Sequence, residues 1–163
     1  MNIFVINAGS SSLKFQIIET DLELIEKHAD RQLAKGLIER IGSESLVTLK
    51  VEGKSTLKLT APLRDHKAAL NYIIKWIVNP ETQIPGIEGI EDIHAIGHRT
   101  VHGGEMFHKS IRIDKEVIAA MEDNIDLAPL HNPANLKGIY AARGVFGPAV
   151  PQVAIFYTSF HLT

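Results

Sequence analysis

The N-terminal part of the chain alternates between hydrophobic and polar positions with the period of β-strands. Residues 3–6 form a short apolar run, and residues 13–18 alternate as the two faces of a half-buried strand do. A polar turn separates these runs, so together they predict a β-hairpin. Residues 46–59 alternate again on both sides of Gly53 and predict a second hairpin. The intervening residues, 22–41, are predicted to supply a further strand and a turn.

The hydrophobic pattern changes to helical spacing at Asp65. This residue is predicted to cap a helix that extends to about Val78 and stops before Pro80. Apolar residues at helical spacing mark one face of the helix: Leu70, Ile73, Ile74 and Ile77. We expect this face to pack against the predicted sheet.

Two further strands are predicted in the C-terminal part of the chain. Residues 93–102 are predicted to form a buried strand, and residues 153–157 form the last one. Hairpin strands come first, and strands then alternate with helices along the chain. This order predicts a mixed sheet with helices packed on it, and therefore an α/β fold class.

Two more helices are predicted between these two strands. One runs from a cap at Asp114 to about Asn124. The other has Asn132 as its N-cap and Pro133 at its first helical position, and Gly144 is predicted to lie just past its end.

Composition and charge restrict the class of protein. At 163 residues the chain is predicted to form one domain with a buried core. The formal net charge of −2 argues against a nucleic-acid partner, and the lack of cysteine excludes disulfides and thiolate metal sites. The sequence shows no signal-peptide pattern and no apolar run of about 20 residues, so we expect a cytoplasmic protein with no membrane partner. The chain stops directly after an apolar strand, and we expect a longer parent protein.

The turn N-A-G-S-S-S-L-K, residues 7–14, combines groups that can bind phosphate. Gly9 allows close approach of the backbone, the three serines provide hydroxyl and amide donors, and Lys14 adds a positive charge. The segment is not a P-loop, which needs a glycine–lysine–hydroxyl order that leads into a helix. A solvated hairpin turn explains the same residues, so both interpretations stay open at this point.

The segment H-R-T-V-H-G-G-E, residues 98–105, contains two histidines and an arginine. In a strand, Arg99 and Val101 share one face, and His98 and His102 share the other. Four strand residues separate the histidines by roughly 13 Å, which is too far for one metal ion. Arg99 lies inside an apolar strand and is expected to need an anionic partner, such as a carboxylate or phosphate. The alternative is a structural ion pair with an Asp or Glu.

The segment A-P-L-H-N-P, residues 128–133, places His131 just before a predicted helix start. The amides and the dipole of a helix N-terminus favour an anion there. A neutral histidine at this place can donate one hydrogen bond. An ordinary helix start with a polar side chain in solvent is the alternative.

Four segments together are far more specific than any one of them. N-A-G-S-S-S-L-K, H-R-T-V-H-G-G-E, A-P-L-H-N-P-A-N and I-F-Y-T-S-F-H closely resemble, in order and spacing, the signature segments of the acetate kinase family. That family includes the propionate and butyrate kinases. The resemblance covers residues 1–163 and implies transfer of a phosphoryl group from ATP to a short-chain carboxylate, with Mg²⁺ as the cofactor.

The resemblance also implies a fold and an assembly. It implies that residues 1–163 are a single N-terminal ribonuclease-H-like domain, of the kind found in the sugar kinase/Hsp70/actin superfamily. A second, C-terminal domain of similar fold is then expected in the parent protein and is absent from this chain. A full-length parent is expected to form a homodimer.

Individual residues match positions with known roles in the family. Asn7 matches the residue near the catalytic magnesium, Arg99 the arginine that binds the substrate carboxylate, and His131 a histidine near the transferring phosphoryl group. The residues that match positions around the phosphoryl groups are Ser10, Ser12 and Lys14, and those that match positions around the alkyl tail of the substrate are Val101 and Leu130.

The implied chemistry agrees with these residue types, with one exception. A carboxylate is already anionic at neutral pH, so phosphoryl transfer needs two anions positioned and their repulsion neutralised rather than a strong base. The last signature normally contains an essential aspartate where this chain has Tyr157. A phenol is neutral at pH 7 and cannot replace a carboxylate beside a divalent cation.

Two interpretations of the function follow from the sequence. The chain is either the N-terminal part of an ATP-dependent carboxylate kinase, or a non-catalytic relative or folding domain that keeps the fold for binding or assembly. In the first case we expect the 163-residue chain alone to be inactive, because Tyr157 and the missing second domain each remove part of the site.

Overall fold

The computed structural model describes residues 1–21, 31–102, 110–114 and 133–158. At residues 100–102, 110–111, 133 and 155–158 it describes the backbone. The helix predicted at residues 114–124, and the N-cap predicted at Asn132, lie outside the described residues.

Eight strands, two α-helices and one 3₁₀-helix make up the described part of the chain. The strands are β1 (Asn2–Ala8), β2 (Leu13–Glu19), β3 (Arg31–Glu39), β4 (Glu44–Val51), β5 (Leu57–Pro62), β6 (Ala95–His102), β7 (Ser110–Arg112) and β8 (Gln152–Thr158). The helices are α1 (His66–Val78) and α2 (Pro133–Phe146), and the 3₁₀-helix is Ile90–Asp92.

All of these strands form one mixed sheet in the order β5-β4-β3-β2-β1-β6-β8-β7. Strands β1 to β5 pair with one another in antiparallel fashion. Strand β6 lies parallel to β1 and to β8, and β7 closes the other edge antiparallel to β8. The α/β class and the ribonuclease-H-like mixed sheet with flanking helices are therefore confirmed.

Both hairpins predicted from the alternating pattern are present. Strands β1 and β2 pair from Asn2–Glu19 to Ala8–Leu13, and β4 and β5 pair around a turn that contains Gly53. The strand predicted between the hairpins is β3, which pairs with both β2 and β4 and joins the hairpins into one surface.

Helices α1 and α2 contact each other and the same side of the sheet, where the core lies. An aromatic cluster connects the layers. The ring of Phe4 stacks on that of Phe15 with 5.3 Å between centroids and also contacts Phe146 of α2, while Phe15 meets Trp76 of α1 edge-on. Gly36 faces Phe15 across the strand pair, and a Cβ at position 36 would overlap the Phe15 ring.

Helix α1 forms where the sequence predicts it. The Asp65 carboxylate accepts a hydrogen bond from the Ala68 amide at 2.8 Å, and the helix ends at Val78. The four apolar residues of the predicted face are all buried. Since few isolated helices of this length are stable, this packing rather than intrinsic propensity holds α1 in place.

The predicted end of the last helix is wrong by one turn. Pro133 is the first residue of α2, as expected, but the helix continues through Gly144 to Phe146. The residue beyond it is Gly147, whose φ of 84° lies in the left-handed region that glycine tolerates at helix ends. Either Gly144 or Gly147 could follow the last residue of a helix. The packing of Val145 and Phe146 against the core extends the helix to Phe146.

Strand β7 is not predicted from the sequence. Its three residues form a short edge strand beside β8 and are too few to show an alternating pattern.

None of the described helices is long and apolar enough to cross a membrane.

Candidate functional site

Residues 9–12 connect β1 to β2 and are called here the hairpin tip. The last strand pair before the tip is Ala8–Leu13, and the Gly9 amide donates to the Ser12 carbonyl at 3.0 Å. A Cβ at position 9 would overlap the Ser12 hydroxyl, so a larger residue there would require the Ser12 side chain to rotate away from its present position. Ser10 and Ser11 are exposed, and Ser12 is half-buried.

The carbonyl groups of the hairpin tip accept hydrogen bonds from the rest of the domain. Nε2 of His66 lies 2.8 Å from the Gly9 carbonyl oxygen and 3.2 Å from that of Ser12. The Ser11 carbonyl accepts from the Ile41 amide at 2.9 Å. The backbone amides of the three serines donate to no group among the described residues. The tip thus presents donors with free capacity and few free acceptors, which is the property of an anion-binding turn.

Asn7 and Lys14 lie directly beside the hairpin tip and are both exposed. They are register partners in the β1–β2 pair, so they share one face of the sheet. Strand alternation places this face on the side opposite to Ile6 and Ala8, which contact α2 near Gly138. The amide oxygen of Asn7 and the ammonium group of Lys14 are thus available on the side of the sheet that α1 and α2 leave open.

Arg99 lies on the neighbouring strand at the same level. The parallel pairing of β1 with β6 runs to Ile6–His98, and the next residues on the two strands are Asn7 and Arg99. Strand alternation puts Arg99 on the same face as Asn7. The structure therefore brings Asn7, Lys14 and Arg99 to the same end of three neighbouring strands and to one face of the sheet.

Arg99 lies within β6, as predicted, but its environment differs from that of the residues before it. Its side chain is exposed, whereas its neighbours Gly97 and His98 are buried. Burial alone therefore does not force an anion onto the Arg99 guanidinium, and its accessibility suits a ligand from solvent.

His98 is used inside the domain. It is 3% exposed, and its Nε2 lies 2.5 Å from the Gln152 side-chain oxygen. Because that oxygen only accepts, Nε2 carries the proton. The Gln152 amide in turn donates to the Ile139 carbonyl of α2 at 3.4 Å, so the contact joins β6, β8 and a helix. Burial lowers the pKa of His98 to about 4, so the imidazole is neutral at pH 7.

The remaining predicted site residues divide into two groups. Leu130 and His131 lie outside the described residues. Val101 and Tyr157 are register partners in the parallel β6–β8 pair, two residues beyond Arg99 and Ile155. The backbone of position 157, where the resemblance implies an aspartate, is therefore adjacent to the strand that carries Arg99.

Sequence inspection misses one residue of this site, His66. It occupies the first position of α1, which Asp65 caps, and the local pattern marks it only as a helix start. Its contact with Gly9 spans 57 residues, so no local signal shows it.

No group of three or more His, Cys, Asp or Glu that could hold a metal ion occurs in the part of the chain that the structure describes.

Comparison with known proteins identifies the family to which the chain belongs. The sequence model of the acetokinase family matches residues 2–163. The chain belongs to the acetokinase family. It is 55% identical to the acetate kinase of Chloroherpeton thalassium over 168 aligned residues, which cover 100% of this chain and 40% of that protein.

Solved structures agree with the fold of this acetokinase-family chain. The crystal structure of Porphyromonas gingivalis acetate kinase matches with a TM-score of 0.78 at 36% identity, over 95% of this chain and 37% of that one. A propionate kinase from Francisella tularensis matches with a TM-score of 0.72 at 35% identity, over 95% of this chain and 36% of that one. The chain therefore spans about 40% of the length of the acetokinase relatives it matches.

Proposed function

We propose that this chain forms one wall of the active site of an ATP-dependent kinase that phosphorylates a short-chain carboxylate. One observation carries the proposal: in an acetokinase-family chain, Asn7, Lys14 and Arg99 meet beside a hairpin tip whose serine amides are free among the described residues. Positive charge and amide donors at one end of the strands suit a reaction between two anions. The proposal includes a full-length parent that acts as a cytoplasmic homodimer.

In this proposal the hairpin tip and Lys14 bind the phosphoryl groups of ATP. The amides of residues 10–12 and the hydroxyls of Ser10 and Ser12 donate to phosphate oxygens, and Lys14 neutralises part of their charge. The exposure of Ser10 and Lys14 leaves them accessible to a nucleotide in solvent.

Arg99 binds the carboxylate of the second substrate in this proposal. Its guanidinium can form two parallel hydrogen bonds to a carboxylate, which fixes the orientation of the attacking oxygen. Val101 and Leu130 contact the alkyl tail, and His131 donates to the transferring phosphoryl group. A carboxylate oxygen forms the new bond to the γ-phosphorus while the bond to the β,γ-bridging oxygen breaks, and ADP leaves with that electron pair.

The described residues fit magnesium only in part. The Asn7 amide oxygen is exposed and is a type of ligand that Mg²⁺ accepts. Magnesium is commonly bound by one or two carboxylates together with substrate phosphates, and position 157 carries a phenol. We therefore propose that Asn7 and the ATP phosphates would hold the ion, which supplies neutralising charge to the phosphoryl group when bound.

Tyr157 favours the second interpretation, a non-catalytic relative that binds ligand without transfer. A neutral side chain at this position removes an anionic ligand from the proposed metal site. The other proposed groups for phosphate and carboxylate are unaffected by this change, so binding can persist where transfer is lost.

The experiment that tests the proposal measures the reaction directly. A full-length parent with Tyr157→Asp is incubated with ATP, Mg²⁺ and either acetate, propionate or butyrate, and acyl phosphate is trapped with hydroxylamine. We expect acyl phosphate that depends on the carboxylate and disappears when EDTA removes the metal. Absence of acyl phosphate with all three carboxylates would support the non-catalytic interpretation and contradict the kinase.

A further inference from the structure

His66 makes two hydrogen bonds to the hairpin tip from inside the domain. Its side chain is 5% exposed, and its Nε2 lies 2.8 Å from the Gly9 carbonyl oxygen and 3.2 Å from that of Ser12. Carbonyl oxygens only accept, so Nε2 is the donor to both. The residue begins α1, and the Asp65 cap fixes the start of that helix. His66 therefore joins a rigid element to both ends of the tip.

This contact changes the hydrogen bonding expected of a tight turn. In a hydrogen-bonded β-turn, the carbonyl of the first residue accepts from the amide of the fourth. Here the first carbonyl, that of Gly9, accepts from His66, and the fourth amide, that of Ser12, donates to no described residue. The opposite bond, from the Gly9 amide to the Ser12 carbonyl, is present at 3.0 Å. The Gly9 carbonyl thus accepts from His66 and not from the Ser12 amide, which keeps its donor for a ligand.

The same contact engages carbonyl oxygens close to where an anion would bind. Carbonyl oxygens repel phosphate oxygens, and amide groups attract them. Of the four tip carbonyls, those of Gly9 and Ser12 accept from His66, and that of Ser11 accepts from Ile41. What is left for a ligand is mainly the three serine amides and hydroxyls.

We propose that His66 is a positioning residue that holds the hairpin tip in the form that binds phosphoryl groups. It contacts no substrate itself, and it acts through the Gly9 and Ser12 carbonyls. This inference rests on the proposed function, because it concerns the phosphate-binding role of the tip. It predicts that a side chain with a donor at the Nε2 position keeps phosphate affinity, and that a shorter donor loses it.

Two substitutions separate the donor from the rest of the side chain. His66→Gln carries an amide nitrogen that can reach the position of the histidine Nε2 and donate to both carbonyls. His66→Asn carries the same amide one methylene shorter and cannot reach them. His94→Asn is the matched control, because the His94 ring accepts from the Asn2 amide at the other end of β1, away from the hairpin tip.

The experiment titrates inorganic pyrophosphate into the 163-residue chain and follows amide NMR signals. We expect saturable shifts at the amides of residues 10–12 in the wild type, an affinity within threefold of it for His66→Gln and His94→Asn, and an affinity at least tenfold weaker for His66→Asn. Circular dichroism establishes that each variant is folded. Amide hydrogen exchange of the wild type adds a measurement that needs no variant: the Ser12 amide should exchange much faster than the Gly9 amide.

The outcomes separate this inference from the function on which it rests. If the wild type shows saturable shifts and His66→Asn binds pyrophosphate with the same affinity, the role of His66 is overturned and the phosphate site is kept. An equal loss in His66→Gln and His66→Asn would show that donation to the carbonyls is not the cause. Protection of the Ser12 amide in the wild type would also overturn the inference. Absence of any wild-type shift at the tip would overturn its phosphate role itself.

Discussion

His98 and Arg99 are neighbours on β6 and have opposite environments. The imidazole of His98 is buried against Gln152 and is neutral at pH 7, while the guanidinium of Arg99 is exposed on the other face. Strand geometry explains the difference, because successive side chains point to opposite faces of a sheet. The buried residue fixes the position of the strand, and the exposed one is accessible to a ligand.

Replacement of Arg99 should impair use of the carboxylate by the proposed full-length kinase. In the Tyr157→Asp background, Arg99→Ala is expected to reduce kcat/KM for acetate by an amount that corresponds to roughly 2–4 kcal/mol, because a bidentate charged contact is lost. Arg99→Lys should recover little of the lost kcat/KM, since an ammonium group lacks the planar fork of a guanidinium group. Steady-state kinetics with varied acetate measures both variants.

The matched control for Arg99 is another exposed arginine on the same sheet. Arg31 begins β3 and lies 3.8 Å from the Glu19 carboxylate, on a strand three places from β6 in the sheet. Arg31→Ala should leave acetate kinetics unchanged. Unaltered KM and kcat in Arg99→Ala would exclude the proposed role of Arg99.

The buried His98 should make the domain sensitive to acid. Its pKa is lowered from the usual 6.5 to about 4 by burial, so the unfolded chain binds this proton more readily than the folded one. The stability from a neutral His98 is therefore complete above pH 6.5 and is lost as the pH falls towards 4, by about 3 kcal/mol in total.

Urea unfolding of the wild type and of His98→Gln from pH 7.5 to pH 4 tests this pH dependence. Other titrating groups contribute to both proteins, so the difference between their free energies of unfolding isolates residue 98. We expect this difference to decrease as the pH falls. A difference that is constant across the range would contradict the assignment of a neutral buried imidazole.

At the scale of elements, glycines decide how closely the layers approach. Gly36 in β3 leaves space for the Phe15 ring, which stacks on Phe4 and meets α1 through Trp76. Gly144 lies within α2, where a Cβ would meet the flexible end of the Lys67 side chain. Packing therefore requires glycine at position 36, whereas glycine at position 144 lowers the stability of the helix.

Alanine at the two positions should therefore have opposite effects on stability. Gly36→Ala is expected to lower the free energy of unfolding by about 1–3 kcal/mol, because the ring of Phe15 and the Thr48 carbonyl cannot both retreat. Gly144→Ala is expected to raise it by about 0.5–1 kcal/mol, since alanine is the better helix former. Urea denaturation at pH 7.5 measures both, and equal destabilisation would contradict the placement of Gly144 inside α2.

At the scale of the whole molecule, the chain spans about 40% of its acetokinase relatives. Phosphoryl transfer of this kind needs groups that surround the reacting atoms and exclude water. In the proposed function, the exposed residues Asn7, Lys14 and Arg99 supply one set of these groups. We therefore expect the rest of the relatives' length to supply the facing wall.

Activity should require both the full length and a carboxylate at position 157. Four proteins are compared in the acetyl phosphate assay: the 163-residue chain and a full-length parent, each with Tyr157 or Tyr157→Asp. We expect activity in the full-length Asp form, at most a trace in full-length Tyr157, and none in either short chain, because the facing wall and the anionic metal ligand act independently.

The four proteins test the two requirements separately. Acetyl phosphate formed readily by full-length Tyr157 protein would show that the carboxylate is dispensable here. Turnover by the short chain would contradict the need for a second wall. Pyrophosphate shifts at the hairpin tip in the inactive short chain would show that binding survives without transfer.

The sequence by itself determines those features that depend on neighbours in the chain. The β1–β2 and β4–β5 hairpins follow from alternation around a turn, and α1 follows from the Asp65 cap and its apolar face. The four signature segments indicate the acetokinase family, since the order and spacing of short motifs are properties of the sequence. These features need no knowledge of which distant segments meet.

Only the tertiary structure decides the features that depend on distant contacts. Arg99 is exposed because of which face of β6 the helices cover, and α2 continues past Gly144 because its last turn packs on the core. His66 reaches the hairpin tip across 57 residues, although nothing near it in the sequence indicates a partner. Local patterns report the conformation of a segment, whereas burial, register and long-range hydrogen bonds arise only when the segments pack together.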